Sequence, residues 1–510
     1  MFTDSNRGLL FCGWYIVISL VMLLQGPKSD CSERLVINVH HYGAQGNGIT
    51  DDTAALRRAF KVGGANASTV FFPCGTYLIT GALQVNKSNA SILGSGDCTT
   101  LRVAGPTSFA ALTVSGRGLG PAAKLVRDAT SNTFTVAPGA LVRLGIVAKS
   151  YVVVSDQEVA SNGAGSPMTS NQQVAKVKSV SGDTATIESS FAHDFTLISS
   201  HPQNQGCCPY VQKILAPVSN VSVTKLRIDG SSNAGSASEA LEMNFAVDSE
   251  IGFVNVTDFA ARTGRVTGIR VDTGYHNRFH DITCTACGNG GGVSFWAFRQ
   301  SLDTIENLTI TNNAAQSEVF GFTVSQLNNS VISNVMVDAG GAKGRPFKLA
   351  RTNHNIFNHV TAKNGAGAMN GISITDISTY NTFNDCAALN NSQTGIMMFG
   401  NFNQHNTFNR CTSKYNTLTQ FGQGKDAFGN YRDDFTTIDS GYFCCGLLNG
   451  STIIRIRSDF FEITNATISN DNGLASEGLI ILGTHSVVKN NRYQSFKVGK
   501  DVQILESFPP

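Results

Sequence analysis

The chain has 510 residues, a formal net charge of +2 and only 15% charged residues. This near-neutral balance excludes the broad positive field of a nucleic-acid-binding protein and the acidic composition of a disordered tail. Gly is abundant at 51 residues while Pro (12) and Trp (2) are scarce, which is typical of many tight turns between short strands.

The first 30 residues are predicted to be a secretory signal. Arg7 precedes an uncharged, largely apolar run from Gly8 to Leu24. That run is short for a membrane span, so an uncleaved signal anchor is the alternative. The 12 cysteines agree with an oxidising destination, and we expect an extracellular protein. The oligomeric state does not follow from the sequence.

Residues 31–99 are predicted to form the N-terminal cap and first coils of the fold. A strand and a Gly-rich turn lead to a short helix that Thr50 or Asp51 caps, with Asp52 adding negative charge at its start. The strand, Pro/Gly turn and strand around Phe72-Pro-Cys-Gly-Thr-Tyr77 follow. Asp51 and Asp52 are adjacent carboxylates, but capping explains them better than catalysis.

The order of these motifs resembles one family. Tyr-Gly-Ala at 42–44, Gly-x-Gly-x-x-Asp-Asp-Thr at 46–53 and Phe-Pro-x-Gly-Thr-Tyr at 72–77 look like the N-terminal cap of the pectate-lyase-superfamily β-helix proteins. These include polygalacturonase-like glycosidases, polysaccharide lyases, sugar epimerases and viral tailspike depolymerases. The resemblance spans roughly residues 38–96 and implies a right-handed parallel β-helix, while leaving the reaction open.

Residues 100–217 interrupt the pattern and predict a β-rich insertion. Runs such as Tyr151–Ser155 and Val174–Ile187 are typical of antiparallel strands, the second run containing a Ser-Gly-Asp turn. The insertion is expected to pack on the side of the main fold. It either helps to bind a polymer or covers a strand edge.

Residues 218–510 contain a repeat that predicts an all-β parallel solenoid. One alternating phrase recurs every 25 to 27 residues, and coils at this period bury their apolar faces only by stacking. Its central apolar residues are Phe279, Ile305, Ile332, Phe357, Phe383 and Phe408. A loop is expected at 413–432, and the C-terminal tail is expected to cover the last coil.

The repeat also predicts ladders of like residues on successive coils, about 4.8 Å apart. One hydrogen-bonding ladder is expected from Asn277, Asp303, Ser330, Asn355, Asn381 and Asn406. Cys386 and Cys411 share a register position, as a disulfide or as a reduced buried stack. In the cap, Cys74 is a possible partner of Cys98. Cys284 and Cys287 lack the further ligands of a zinc site.

Candidate chemistry lies just before the ladder, where the outward residues of each coil are expected to line one face. Two clusters on adjacent coils stand out there. The first comprises Asp272, Tyr275, His276 and Arg299, and the second comprises Lys348, Arg351, His354 and Asp376. The same face also offers Ser325, Gln326, Asn401 and His405.

These residue types suit a lyase acting on a uronate polymer. Arg or Lys neutralises the sugar carboxylate while His, Tyr or Arg removes the C5 proton. The candidate catalytic residues are Arg351, His354, Lys348, Asp376, Asp272, His276 and Arg299, and the candidate substrate-binding residues are Tyr275, Gln326, Asn401 and His405. The competing interpretation is a set of solvated Arg–Asp ion pairs that do no chemistry.

A glycoside hydrolase needs two carboxyl groups about 5–10 Å apart. Asp272 and Asp376 are four coils apart, roughly 19 Å by strand spacing, and are excluded as that pair. The Asn-Thr-Asp, Asp-Asp and Gly-His-Gly strands of polygalacturonases are also missing.

The sequence therefore predicts a secreted protein that cleaves or modifies an acidic, uronate-containing polysaccharide such as pectin in a groove on the β-helix. The alternatives are a non-catalytic glycan-binding surface or matrix protein and a polygalacturonase-like hydrolase. The expected partner is a polysaccharide, not nucleic acid, with a membrane contact only through an uncleaved signal anchor. We expect no cofactor. Calcium is the alternative that the resemblance to β-helix lyases implies, but the chain has no dense acidic set to hold it.

Overall fold

The computed structural model describes residues 34–63, 67–104, 109–156, 171–197, 209–232, 239–259, 266–288, 290, 292–312, 319–367, 369–400, 402–425, 433–472, 474–493, 496–498 and 502–505. The predicted signal at 1–30 and the end of the C-terminal tail lie outside these residues. Leu35–Pro510 is one compact unit. Among the described residues, no helix combines the length and apolarity needed to cross a bilayer.

The predicted parallel β-helix is confirmed, with about 15 turns. Sheet 1 carries the Phe/Ile column of the repeat, in which Phe279 is paired with Ile305 and Ile332 with Phe357. Its strands are Leu35–Asn38, Asn47–Asp51, Ser68–Phe72, Gly75–Ile79, Ala90–Gly94, Thr99–Val103, Ser222–Asp229, Glu250–Thr257, Arg278–Thr285, Thr304–Thr311, Val331–Asp338, Ile356–Lys363, Thr382–Asn384, Ala387–Leu389, Thr407–Asn409, Thr412–Lys414, Thr437–Asp439, Tyr442–Cys444, Glu462–Thr464, Thr467–Ser469, Val487–Lys489, Arg492–Tyr493 and Gln503–Leu505.

Sheet 2 closes the other side of the coils. Its strands are Leu83–Val85, Ala110–Ser115, Val218–Ser219, Glu239–Asn244, Ala246–Val247, Thr267–Tyr275, Val293–Ser301, Phe320–Asn328, Phe347–Ala350, Ile372–Thr375, Ile396–Phe399, Phe421–Gln423, Ser451–Ile456, Ala475–Ile481 and Phe496–Val498. Because side chains alternate across a strand, the inward residues of sheets 1 and 2 build one continuous core.

That core is a set of stacked rings. In sheet 1 the rings of Phe357, Phe383 and Phe408 stack with centroids 4.6 and 4.9 Å apart, and in sheet 2 Phe322 stacks on Phe347 at 4.7 Å. All five side chains are fully buried. The spacing equals the distance between neighbouring strands, so the ring column follows directly from the repeat.

The predicted polar ladder is confirmed beside this core. The backbone N–H of Asn277 donates to Oδ1 of Asp303 (2.8 Å), that of Ser330 to Asn355, and that of Asn381 to Asn406. The ladder side chains are buried and satisfy backbone groups on neighbouring coils. The ladder is therefore part of the scaffold.

Disulfides join Cys74 to Cys98 and Cys386 to Cys411, which resolves the alternative left open for the second pair. Cys284 is joined to Cys287, and the adjacent Cys444 and Cys445 are joined to each other.

The N-terminal helix runs over Thr53–Gly63, after a 3₁₀ turn at Val39–Tyr42. Asp51 accepts hydrogen bonds from the backbone N–H and the hydroxyl of Thr53 at the helix start. Asp52 instead faces the Gly-rich turn, where it accepts from the N–H groups of Gln45 and Gly46. Both carboxylates therefore accept hydrogen bonds from nearby backbone N–H groups, which agrees with a structural rather than a catalytic role for this pair.

The predicted β-rich insertion is present as a separate antiparallel sheet. Its strands are Arg117–Lys124, Thr133–Thr135, Tyr151–Ser155, Gln172–Ser181, Thr184–Ile187 and Tyr210–Ala216, with a short helix at Ala140–Leu144. The sheet has its own buried core around Phe134 and Phe195. It packs on the solenoid through a second apolar cluster in which Val153 and Val174 meet Tyr275.

Candidate functional site

The outward side chains of sheet 2 form a row that crosses neighbouring coils. Strand register places Glu242, Arg270, Trp296, Thr323 and Lys348 side by side in that order. These side chains point away from the core because the alternating residues Ile269, Phe295 and Phe322 are buried. We call this set the outer row.

Arg270 lies at the centre of three carboxylates. Its Nη1 atom is 3.8 Å from Glu239 Oε1 and 3.9 Å from Glu242 Oε1, and its Nη2 atom is 3.2 Å from Asp272 Oδ2. All three acidic side chains are largely shielded, with exposed fractions of 15%, 20% and 10%. One guanidinium therefore holds three carboxylates together in a surface that admits solvent from one side.

Asp272 is the most completely bonded of the three. Its Oδ1 accepts from Nη2 and Nε of Arg299, at 2.8 and 3.1 Å, and from the hydroxyl of Thr273 at 2.7 Å. With Arg270 on the other oxygen, both oxygens of this carboxylate are held by hydrogen bonds. Asp272 thus positions two arginines on adjacent coils.

Aromatic rings adjoin the charged cluster. The guanidinium of Arg270 lies 5.0 Å from the ring of Trp296, and that of Arg299 lies 4.7 Å from the ring of Phe298. The Trp296 and Phe298 rings are 5.9 Å apart and both are half-buried on the outside of the sheet. Half-exposed rings beside fixed charges are a common composition of ligand sites.

The structure brings Asp272 and Arg299 together but separates them from the other members of the first predicted cluster. Tyr275 is buried and packs edge-on against Tyr151 of the insertion, with centroids 5.5 Å apart. Burial raises the pKa of Tyr275 to about 12. His276 donates from Nδ1 to Asp248 (2.7 Å) at a solvated corner. Tyr275 and His276 therefore lie beside the insertion.

The second predicted cluster is divided in the same way. Lys348 belongs to the outer row, whereas Arg351 and Asp376 are buried, and the backbone N–H of Arg351 donates to the carbonyl of Asp376 (3.0 Å). His354 stacks on Tyr380 at 4.7 Å, away from the sheet 2 face. The four residues do not share one exposed face, because Arg351 and Asp376 are buried, and the catalytic roles predicted for them stay predictions.

These side chains diverge because the chain turns sharply at two residues of this coil, which we call corners. Arg351 and His354 both adopt left-handed backbone, with φ of 50° and 57°, and Gln326 and Asp376 repeat the Arg351 position on other coils. Each left-handed residue turns the chain and interrupts the alternation of the strand. A prediction that assumes strict alternation and reads back from the ladder therefore assigns side chains to the wrong face once it passes the first corner.

The positions of the remaining substrate-binding candidates also depend on these left-handed residues. Gln326 is buried, and His405 lies in a ring stack between Tyr380 and Phe435, at 4.4 and 4.8 Å. Burial lowers the pKa of both His354 and His405 below the usual value, although Asp194 opposes this shift at His354. Asn401 lies outside the described residues. The roles predicted for all these residues stay predictions.

Sequence reasoning missed Glu239, Glu242, Arg270 and Trp296. The signal for them was the same repeat, carried one strand earlier. Glu242, Arg270 and Trp296 occupy one register position at spacings of 28 and 26 residues, which continue the period of the core column. Glu239 lies three residues before Glu242, which strict alternation along a strand does not predict, and the clear repeat begins only at Asn277.

One group of potential metal ligands lies elsewhere among the described residues. The ligand atoms of Cys444, Cys445 and Asp471 are all within 4.8 Å of one another. Because the two sulfur atoms are joined to each other, no thiolate is available to hold zinc in this form. This group is not a metal centre as it stands in the structure.

Residues 36–177 match the family described as rhamnogalacturonase A/epimerase, pectate lyase-like. The chain is also 37% identical over 99 residues to the non-secreted LysM effector LysM19 of Penicillium expansum, and 38% identical over 66 residues to the mannuronan C5-epimerase AlgE2 of Azotobacter vinelandii. These segments cover 17% and 12% of this chain, and only 8% and 7% of those two proteins.

Solved structures share the fold along most of the chain. The tailspike protein gp49 of Pseudomonas phage LKA1 has a TM-score of 0.59 at 14% identity, covering 89% of this chain and 81% of that one. The A-module of the Azotobacter vinelandii mannuronan C5-epimerase AlgE6 has a TM-score of 0.51 at 12% identity, covering 93% and 99%. The resemblance to pectate-lyase-superfamily β-helix proteins is thus confirmed.

Proposed function

We propose that this protein binds a polysaccharide along the outer row of sheet 2 and hydrolyses a glycosidic bond there, with Glu239 and Glu242 as the acid–base pair. The observation that carries the proposal is the convergence of carboxylates on Arg270 beside the half-exposed ring of Trp296. Two comparisons support the substrate class. The matching family is described by polysaccharide chemistry, and AlgE2 is named for its action on mannuronan.

The two glutamates are close enough to act on one glycosidic bond. Both Oε1 atoms lie within 3.9 Å of one nitrogen of Arg270, so they are at most about 8 Å apart, which does not exceed the upper limit for glycosidase carboxyl pairs. One carboxylic acid donates a proton to the leaving oxygen, while the other, ionised, activates water or attacks the sugar.

Asp272 has a positioning role in this scheme. Four hydrogen bonds from Arg270, Arg299 and Thr273 occupy its oxygens, so we assign it to holding the arginines rather than to proton transfer. It holds the Arg270 guanidinium next to the two glutamates. The ring of Trp296 offers an apolar face on which a sugar packs next to the reacting bond.

A uronate lyase or epimerase is the second candidate. Lys348 lies in the outer row two strands beyond Trp296 and is a cation suited to a sugar carboxylate. The family description names an epimerase and likens the family to pectate lyase, which supports this alternative. A lyase creates an unsaturated sugar, whereas an epimerase leaves the chain intact.

We place this activity outside the cell. The disulfide Cys386–Cys411 joins successive coils inside the core, and such bonds persist in oxidising compartments. Removing residues 1–30 and following export of the chain tests this part of the proposal. Unchanged export of the shortened chain contradicts a secretory signal there.

The test of activity is a panel of acidic and neutral polysaccharides with two readouts. Hydrolysis releases reducing ends without ultraviolet absorbance, whereas a lyase produces both, and proton exchange at C5 detects an epimerase. Glu242→Gln is expected to lower the rate at least about 100-fold if this residue is the acid or base. Glu306→Gln, in the solvated pair with Arg278 on sheet 1, is the matched control and is expected to keep full activity.

The outcomes separate the candidates. Unsaturated products that persist in Glu242→Gln and disappear in Lys348→Ala favour the lyase over the hydrolase. No product of any kind on the whole panel, with a folded protein, overturns both enzyme proposals and leaves a glycan-binding protein.

A further inference from the structure

A second site lies at the N-terminal end of the same sheet. A cleft of about 470 Å³ separates the helix Thr53–Gly63 from the strand Leu83–Val85. Its lining residues are Arg57, Phe60, Lys61, Ala82, Gln84, Asn86 and Lys87. The cleft is open to solvent along one side, and Phe60, which is 8% exposed, belongs to its wall.

The charged side chains that line the cleft are all positive. Three of its lining side chains are cationic and none is acidic. Arg57 is held in place because its Nε donates to the carbonyl of Ala82 (3.0 Å). Arg57 also interacts with Asp51, but the oxygens of that carboxylate are taken by hydrogen bonds from Thr53 and Thr80. The cleft is therefore an electropositive hollow with a fixed guanidinium and two exposed lysines.

Strand register connects this cleft to the outer row. Gln84 pairs with Thr113, and Thr113 pairs with Glu242, so Gln84 occupies the first position of the line that continues through Arg270 and Trp296. Two strand steps separate Gln84 from Glu242, which is about 10 Å. A short run of linked sugars spans that distance, so one extended chain can reach both places.

We infer that the cleft is an anion subsite, which binds the carboxylate of a uronate in the polysaccharide that occupies the outer row. The inference rests on the proposed function and adds to it the substrate class. The carboxylate cluster around Arg270 does not favour an acidic sugar at the reacting position, because Glu239, Glu242 and Asp272 outnumber the arginines there. The cationic cleft supplies the charge recognition at a distance from the reacting bond.

The inference is tested by equilibrium binding of sodium polygalacturonate and of neutral galactan, with the deglycosylated protein because Asn86-Lys87-Ser88 is an N-glycosylation sequon. The test variant is Lys61→Ala/Lys87→Ala, whose side chains are exposed. The matched control is Lys124→Ala/Lys178→Ala, which removes two exposed lysines of the insertion. The test variant is expected to bind polygalacturonate about tenfold more weakly with a reduced salt dependence, and the control is expected to bind normally.

Four outcomes overturn the inference. They are no binding of polygalacturonate by the unsubstituted protein, unchanged binding by the test variant, equal loss in the test variant and the control, and equal loss for polygalacturonate and galactan. The proposed function is judged separately, by whether Glu242→Gln abolishes turnover of the polymer that the panel identifies. A variant set in which the lysines have no effect but Glu242→Gln is inactive rejects the anion subsite and retains the hydrolase.

Discussion

Arg299 donates two hydrogen bonds to Asp272 across neighbouring coils, with Nη2 and Nε 2.8 and 3.1 Å from Oδ1. The pair closes one side of the cluster around Arg270, and it joins two members of the first predicted cluster that lie on different coils. Both side chains are mostly shielded from water, at 20% and 10% exposure. Their interaction is therefore screened less than that of an ordinary surface ion pair.

Removing the acid from this pair is expected to be costly. Asp272→Asn leaves Arg270 and Arg299 without their shared counter-charge, and we expect a loss of about 3 kcal/mol in the free energy of unfolding. Glu306→Gln, which breaks the solvated Arg278 pair, is expected to cost less than about 1 kcal/mol. Denaturant unfolding of the two variants measures the difference. Equal costs contradict a shielded, structurally important Asp272.

Asp303 is the one acidic member of the buried ladder, and it sets a pH dependence. Burial raises the pKa of its carboxyl well above the usual value, although the N–H of Asn277 opposes the shift. The folded state thus holds a proton that the unfolded state releases as pH rises through its usual pKa near 4. Stability from this residue is present at low pH and is lost as pH rises through the folded pKa.

Asp303→Asn is therefore expected to stabilise the protein at neutral pH, by about 1–3 kcal/mol, because it replaces a buried acid with the residue found elsewhere in the ladder. The gain is expected to shrink in acid. Unfolding measured from about pH 4 to about pH 8 tests this, with Asn381→Asp as the reverse substitution. A gain that does not depend on pH argues against a buried proton at Asp303.

The disulfide between Cys386 and Cys411 links two coils across a sequence separation of 25 residues. Replacing both cysteines with alanine is expected to lower the free energy of unfolding by about 2–4 kcal/mol, because the unfolded chain regains the freedom of that loop. Reducing agent is expected to destabilise the unsubstituted protein but not the variant through this bond. Equal stability of the two proteins under oxidising conditions rejects a contribution from the bond.

The scaffold was predictable from the sequence because one repeat determines both ladder and core. The columns containing Asn355 and Phe357 follow from the period alone, and the structure confirms them. The site was less predictable because left-handed residues such as Arg351 and His354 bend the coil without a consistent residue type. The sequence predicted that Cys386 and Cys411 lie at one register position on neighbouring coils. It did not decide between a disulfide and a reduced pair, because register does not fix the side-chain direction.

Those same left-handed residues create a stacked column that the sequence analysis did not predict. His354, Tyr380, His405, Phe435, Phe460 and His485 stack in one exposed column, with ring centroids 4.4 to 5.0 Å apart. Each ring covers the face of the next, and all six residues have left-handed backbone. The stacked faces offset the strain of this conformation in bulky residues. The column is thus expected to stabilise the C-terminal half of the solenoid.

Protonation of the histidines is expected to weaken this column. Burial lowers the pKa of His405 and, against the effect of Asp194, that of His354, so the unfolded state takes up protons first as pH falls. Stability from these residues is full above the unfolded pKa near 6.5 and is lost as pH falls through the folded pKa. His405→Phe keeps the stack without a titrating group. Its unfolding free energy is expected to vary less between about pH 7 and pH 5 than that of the unsubstituted protein. His276→Phe, at the solvated corner, is the control. If His405→Phe and the unsubstituted protein have identical pH profiles of unfolding free energy, a depressed pKa at His405 is contradicted.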